Sequence, residues 1–215
     1  MAAEVLEKLR QAILDYDAEG AARWANKAVE EKVDPIEAVN ALTEAIRVVG
    51  DGFGKGELWL PDLVGAATAM KSAMPIIEKE ILRTGKKRET LGNVVLGTVY
   101  GDIHDIGKNM VGSLLTANGF TVYDVGINIT AAEFVEAVKK YQPDILAMSA
   151  LMQMTAYEQV TVVEALKKEG IRDRVKIMVG GGAITQQFAD MIGADGYEPS
   201  APGAVSLAKK LMGIM

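Results

Sequence analysis

Apolar residues recur at helical spacing through the first part of the chain and then gather into short unbroken runs. Between residues 4 and 14, Val5, Leu6, Leu9, Ala12 and Ile13 share one helical face. Residues 15–20 read as a turn and 21–31 as an alanine-rich helix. Asp34-Pro35 marks a helix start, a carboxylate N-cap followed by proline at the first helical position. The helix it opens carries Ile36, Val39, Leu42, Ile46 and Val49, and glycines at 50, 52, 54 and 56 are expected to break it up. A fourth helix begins near Leu60-Pro61 and runs to about Leu82. Four amphipathic helices with short connections predict a helical bundle over residues 1–83. Residues 84–91 are polar and charged without apolar periodicity, as an interdomain linker would be.

From residue 92 the pattern alternates. Strands are predicted at 94–99, 121–125, 145–149, 176–179 and 195–197, with helices near 108–117, 131–140, 156–168, 186–192 and 203–211. Helical spacers of this length between apolar strands imply βαβ units and a parallel sheet. Residues 92–215 are therefore read as a doubly wound α/β domain of flavodoxin-like size.

Composition narrows the chemistry. Lys and Arg number 23 against 29 Asp and Glu, a net charge of −6, and neither half of the chain is basic, which disfavours a nucleic-acid surface. With no cysteine, disulfides, zinc–thiolate and iron–sulfur sites are excluded. The acidic N-terminus does not read as a signal peptide and no segment has a membrane-spanning run, so a cytoplasmic protein is expected, with no membrane partner.

The candidate chemistry lies in three loops that follow strands. The first contains Asp102, Ile103, His104, Asp105, Ile106 and Gly107, and His104 is the only histidine of the chain. The second contains Ser149, Leu151, Met152 and Thr155, and the third Gly180, Gly181 and Gly182. Carboxyl ends of parallel strands are where open α/β sheets bind ligands. In an extended loop Asp102 and His104 point the same way, so the carboxylate can hold one ring nitrogen and improve the other as a ligand. A loop histidine donating to a carbonyl is the plainer alternative. One imidazole cannot build a zinc or iron site alone, but it can serve a metal already held by a macrocycle. The glycines allow close backbone approach, or simply a tight turn. Neither the dinucleotide GxGxxG pattern nor a P-loop is present.

Asp102-x-His104-x-x-Gly107, then Ser149-x-Leu151, then Gly180-Gly181, resembles the signature of base-off/His-on corrinoid proteins. The intervals agree, with residues 108–148 spanning 41 positions and 152–179 spanning 28. The string GDIHDIGKNMVG is similar to the matching stretch of cobalamin-dependent methionine synthases, and VVGDGFGKGELWLPDLV to the cap segment ahead of their cobalamin domain. The resemblance implies cobalamin or a related corrinoid, with His104 ligating cobalt, Asp102 hydrogen-bonding His104, and Thr155 as the hydroxyl behind Asp102. Ser149 and Leu151 would meet the displaced nucleotide arm, with its base beside Gly180, Gly181 and Gly182, and Met152 would also contact the cofactor. Phe53, Leu60 and Leu63 would shield the methyl face, although a helical stripe more often means bundle core.

Catalytic modules are missing, so the resemblance points to a methyl carrier of the methylamine, methanol or quaternary-amine type. It would accept the methyl group through a substrate-specific methyltransferase and give it to a thiol or tetrahydropterin through a second, with a reductive activase as a further partner. A cobalamin-dependent sensor, a mutase subunit and a plain flavodoxin-like binding domain are the alternatives.

Overall fold

The computed structural model describes residues 2–85 and 90–214. The described residues form two compact units, one of 2–85 together with 116–118, the other of 90–115 and 119–214. The helical unit contains α1 (Ala2–Leu14), α2 (Ala18–Glu30), α3 (Pro35–Gly54) and α4 (Leu60–Thr84), packed as a bundle around Leu9, Ile13, Leu42, Ile46, Leu63 and Ile77, all fully buried.

Two helix boundaries differ from the sequence expectation. The start of α2 comes at Ala18, inside the expected turn, because Asp17 caps it by accepting the Gly20 N–H at 2.8 Å. More consequential is α3, which runs through Gly50, Gly52 and Gly54 instead of stopping at Val49. Glycine in a helix costs only about 1 kcal/mol against alanine, so continued backbone bonding and burial override it. At Gly52 the missing side chain has a packing role: a Cβ there would stand 2.9 Å from Leu58 Cδ1. The chain turns only at Gly56, whose φ is +76°. Of the expected linker, Thr84 closes α4, Gly85 is its left-handed cap, and residues 86–89 lie outside the described residues. Thr90 Oγ1 hydrogen-bonds the carbonyls of Gly92 and Gly119, within the second unit.

The second unit is a five-stranded parallel sheet of order β2-β1-β3-β4-β5, with β1 (Asn93–Val99), β2 (Thr121–Ile129), β3 (Ile145–Ser149), β4 (Lys176–Gly180) and β5 (Gly196–Tyr197). The connecting helices are α5 (Ile106–Ala117), α6 (Ala131–Tyr141), α7 (Gln153–Lys168) and α8 (Gln186–Ile192), and α9 (Ala201–Leu211) follows β5. Strand β2 extends past the expected end at Val125, because Gly126 (φ +100°) absorbs a register irregularity and pairing resumes to Ile129. Both α5 and α7 begin two or three residues earlier than the periodicity implied. Ile106, Gly107 and Thr155 therefore belong to first helical turns. One face of the sheet, with Val95, Leu146, Met148, Ile177 and Val179, packs on α6, α7 and α8 around the fully buried Phe134 and Leu166.

Candidate functional site

The strand order reverses beside β1, which sends α5 and α6 off in different directions and opens a crevice at the carboxyl ends of β1 and β3. The loop after β1 crosses that crevice and is pinned from three sides. Thr98 Oγ1, on a fully buried β1 residue, donates to the His104 carbonyl at 3.0 Å. The Gly101 N–H donates to Asn128 Oδ1 at 2.7 Å, and the Asn128 N–H donates to the Asp102 carbonyl at 3.0 Å. Gly101 itself has a φ of +74°, which lets the chain reverse direction out of the strand.

Asp102 is fully buried at the centre of this arrangement. Its Oδ1 accepts the His104 backbone N–H at 3.0 Å and lies 2.7 Å from His104 Nδ1. Its Oδ2 accepts the Leu151 N–H at 2.8 Å and the Thr155 hydroxyl at 2.6 Å. Thr155 Oγ1 is also 3.0 Å from the Met152 carbonyl, but one hydroxyl proton serves one acceptor at a time, and the shorter contact to an anion is the stronger. The carboxylate thus sits just before the first turn of α7, where Met152 provides no side-chain cap and the helix dipole favours negative charge. Burial pushes the Asp102 carboxyl up. The Thr155 hydroxyl, the His104 N–H, the His104 ring and the Leu151 N–H outweigh it and hold the group well below the usual carboxylate range.

An ionised Asp102 accepts from Nδ1–H, which leaves the lone pair of a neutral imidazole on Nε2. The His104 side chain is 47% exposed, so that lone pair is accessible. Around it stand apolar side chains that water would normally exclude from a surface: Ile103 at 70% exposed, Ile106 at 67%, and the exposed Leu151 and Met152. Clustered exposed apolar residues beside one metal-competent nitrogen mark a ligand surface.

Beside His104 opens a cavity of about 690 Å³, within the range of small-molecule sites. Ile103, His104, Asp105, Ile106, Gly107, Ser149, Leu151, Gly180, Gly181 and Gly182 all line it. Asp102, Met152 and Thr155 stand behind or beside that wall and do not line it. Gly181 (φ +115°) passes so close to β3 that a Cβ would overlap the Ala150 backbone at 2.1 Å. Phe53 and Leu60 are half-buried in the helical unit, at the end of α3 and the start of α4, and Leu63 is fully buried there. Among the described residues no cluster of three His, Asp or Glu could hold a metal alone. A single imidazole, an apolar rim and a deep side cavity together fit a macrocyclic metal complex with a side arm.

Thr98, Asn128 and the pair Lys108–Asp124 were not legible as site residues. Lys108 is 4% exposed, and its Nζ reaches Asp124 Oδ2 at 2.6 Å, Oδ1 at 2.7 Å and Asn109 Oδ1 at 2.9 Å, tying the first turn of α5 to β2. The only signal was a cation early in an otherwise apolar helix. The two ends differ in access to water, with side-chain exposures of 2% for Lys108 and 26% for Asp124. Asp124→Asn leaves a buried ammonium without a counter-charge and is expected to cost about 3–5 kcal/mol. Lys108→Met leaves a carboxylate that water reaches and is expected to cost less, under about 2 kcal/mol. Urea unfolding of both variants checks the order, and equal losses would contradict it.

Known proteins share the sequence and fold of this chain. The family described as "B12 binding domain" matches residues 92–206, and a second family of the same description matches residues 5–78. The trimethylamine corrinoid protein of Methanosarcina barkeri is 42% identical over 212 residues, 98% of each chain. Among solved structures, the methanol:cobalamin methyltransferase complex MtaBC of Methanosarcina barkeri superposes with a TM-score of 0.83 at 31% identity, over 99% of this chain and 81% of that one. A cobalamin-binding protein of Desulfitobacterium hafniense matches with a TM-score of 0.63 at 28% identity, over 96% and 98%. With both units matched and a relative aligned over nearly its whole length, the chain belongs to the B12-binding corrinoid proteins.

Proposed function

We propose that this chain carries methyl groups from a methylated amine, on a corrinoid whose own base is displaced by His104. When bound, the corrinoid supplies a cobalt centre able to accept and donate a methyl group. The observation that carries the reading is the Asp102–His104 contact of 2.7 Å, which fixes Nδ1 and leaves Nε2 free above the apolar rim. His104 would hold the cobalt through Nε2, Asp102 would orient the ring, and Thr155 would hold Asp102. Ile103, Asp105, Ile106, Gly107 and Met152 would support the macrocycle, while Ser149, Leu151, Gly180, Gly181 and Gly182 would receive the nucleotide arm. The names of the relatives support an amine as methyl source and a methyltransferase as partner. A cytoplasmic location, an acceptor methyltransferase serving a thiol or pterin, and a reductive activase complete the proposal. Among the described residues no helix is long and apolar enough to cross a membrane.

The test is to load the chain with hydroxocobalamin, reduce it, and supply methylated amines with methylamine methyltransferases. Methylation of the bound cofactor by a trimethylamine- or dimethylamine-specific enzyme is expected. Failure with every amine enzyme, alongside success with a methanol enzyme, would move the chain to another substrate. Phe53, Leu60 and Leu63 are assigned to shielding the reactive face. Phe53→Ala, the half-buried one, is expected to raise the photolysis rate of bound methylcobalamin severalfold. An unchanged rate would return Phe53 to a bundle role.

A further inference from the structure

The two rungs of the sheet that face the cavity differ in chemistry. Leu96 pairs with Ala147, and Ala147 with Met178, so these three point to one face. With Met110 and Val111 of α5 and Ala204 of α9 they make an apolar floor. Two residues further along the strands, Thr98 pairs with Ser149 and Ser149 with Gly180. This upper rung is small, and Ser149 is its polar member on the cavity, since Thr98 is buried with its hydroxyl given to the His104 carbonyl. Beyond it the Glu198 carboxylate accepts from Ser200 Oγ at 3.1 Å, at the start of α9. Lys108, the one lysine or arginine among the described lining residues, is committed to Asp124 and Asn109. Polarity is therefore confined to the mouth. The backbone groups of the floor strands are paired along the β1–β3–β4 ladder and offer nothing to a guest.

We propose that this floor makes the chain selective among corrinoids by their lower base, accepting benzimidazole and phenol types and discriminating against purines. The proposal rests on the reading that a displaced nucleotide arm enters this cavity. The phosphate and ribose then lie at the polar rung, and the base lies against Leu96, Ala147 and Met178. A benzimidazole brings fused rings with one free nitrogen, and a phenol-type base brings a bare ring. Adenine brings an exocyclic amine and further ring nitrogens, all of which lose water without gaining a partner on this floor. Each such group weakens binding by roughly tenfold. Release of the base from cobalt costs the more basic benzimidazole more than adenine, so that contribution opposes the expected order and cannot produce it.

The test measures equilibrium binding of four probes to the native chain: cobalamin, a phenol-base cobamide, an adenine-base cobamide, and cobinamide, which lacks the nucleotide. Cobalamin and the phenol-base form are expected to bind well, and the adenine-base form at least roughly tenfold more weakly. Equal or tighter binding of the adenine-base form overturns the proposal. Cobinamide binding as tightly as cobalamin also overturns it, by showing that the arm does not use the cavity, while leaving corrinoid binding intact. No binding of any probe defeats the corrinoid reading itself. Met178→Gln, which puts an amide on the floor, is expected to narrow the gap between adenine and benzimidazole. A folded variant with an unchanged gap counts against the floor assignment, and the native-chain comparison decides if the variant does not fold.

Discussion

His104→Ala is expected to abolish the spectrum of a histidine-ligated corrinoid and to weaken corrinoid binding by roughly 100-fold or more, since even losing a group behind a metal ligand costs 10- to 100-fold. Nothing else in the crevice can substitute. Among the described residues no acidic or imidazole cluster stands ready to ligate, and His104 is the only histidine. The half-exposed ring contributes little to the core but donates to Asp102, so the variant should fold with a modestly lowered thermal midpoint. The measurement is a visible spectrum after reconstitution with hydroxocobalamin, together with equilibrium dialysis. A spectrum identical to that of the parent would show that cobalt takes its lower ligand elsewhere, and would remove the functional reason for the Asp102–His104 pair.

Asp102→Asn is expected to destabilise the fold by about 3–5 kcal/mol, as much as any other single change in the site. The shape is retained, but the wild-type carboxylate accepts on both oxygens. Oδ1 faces two His104 donors, while Oδ2 faces the Leu151 N–H and the Thr155 hydroxyl. An amide must point its NH₂ at one of these pairs, setting donor against donor at a fully buried position. Thr155→Val removes one donor and leaves the carboxylate those of His104 and Leu151, so its cost should be nearer about 1–2 kcal/mol.

The pH dependence follows from the lowered Asp102 carboxyl. A group held below its unfolded value stabilises the fold above that value, about pH 4 for aspartate. The contribution fades as pH falls from there through the lower folded value. The parent should therefore lose stability between about pH 4 and pH 2 more steeply than Asp102→Asn, which has no carboxyl to protonate. Denaturant midpoints over that range, followed by circular dichroism, test both statements. An Asp102→Asn chain as stable as the parent at neutral pH would mean that the donors find other partners.

Element identity was legible because the periodicities are clean: the four helical stripes and the short apolar runs at 94–99 and 145–149 give the bundle and the sheet. Boundaries were less legible where a local cue competed with a tertiary one. Gly50, Gly52 and Gly54 suggested a helix stop, yet backbone bonding and the approach of Leu58 carry α3 through them. Gly20 suggested a turn, yet it is the third residue of a helix capped by Asp17.

The sequence by itself determined the order of elements, the spacing of the three loops and the candidate ligand. These are properties of neighbours along the chain, set by side-chain period and by residue type. Only the tertiary structure decided how the ligand is held. Asp102 and Thr155 are 53 residues apart, and parallel pairing of β1 with β3 brings the start of α7 over the β1 loop so that one carboxylate serves both. The same pairing aligns Leu96, Ala147 and Met178 into one rung. Strand register fixes which side chains share a face, and no local pattern in the chain states it.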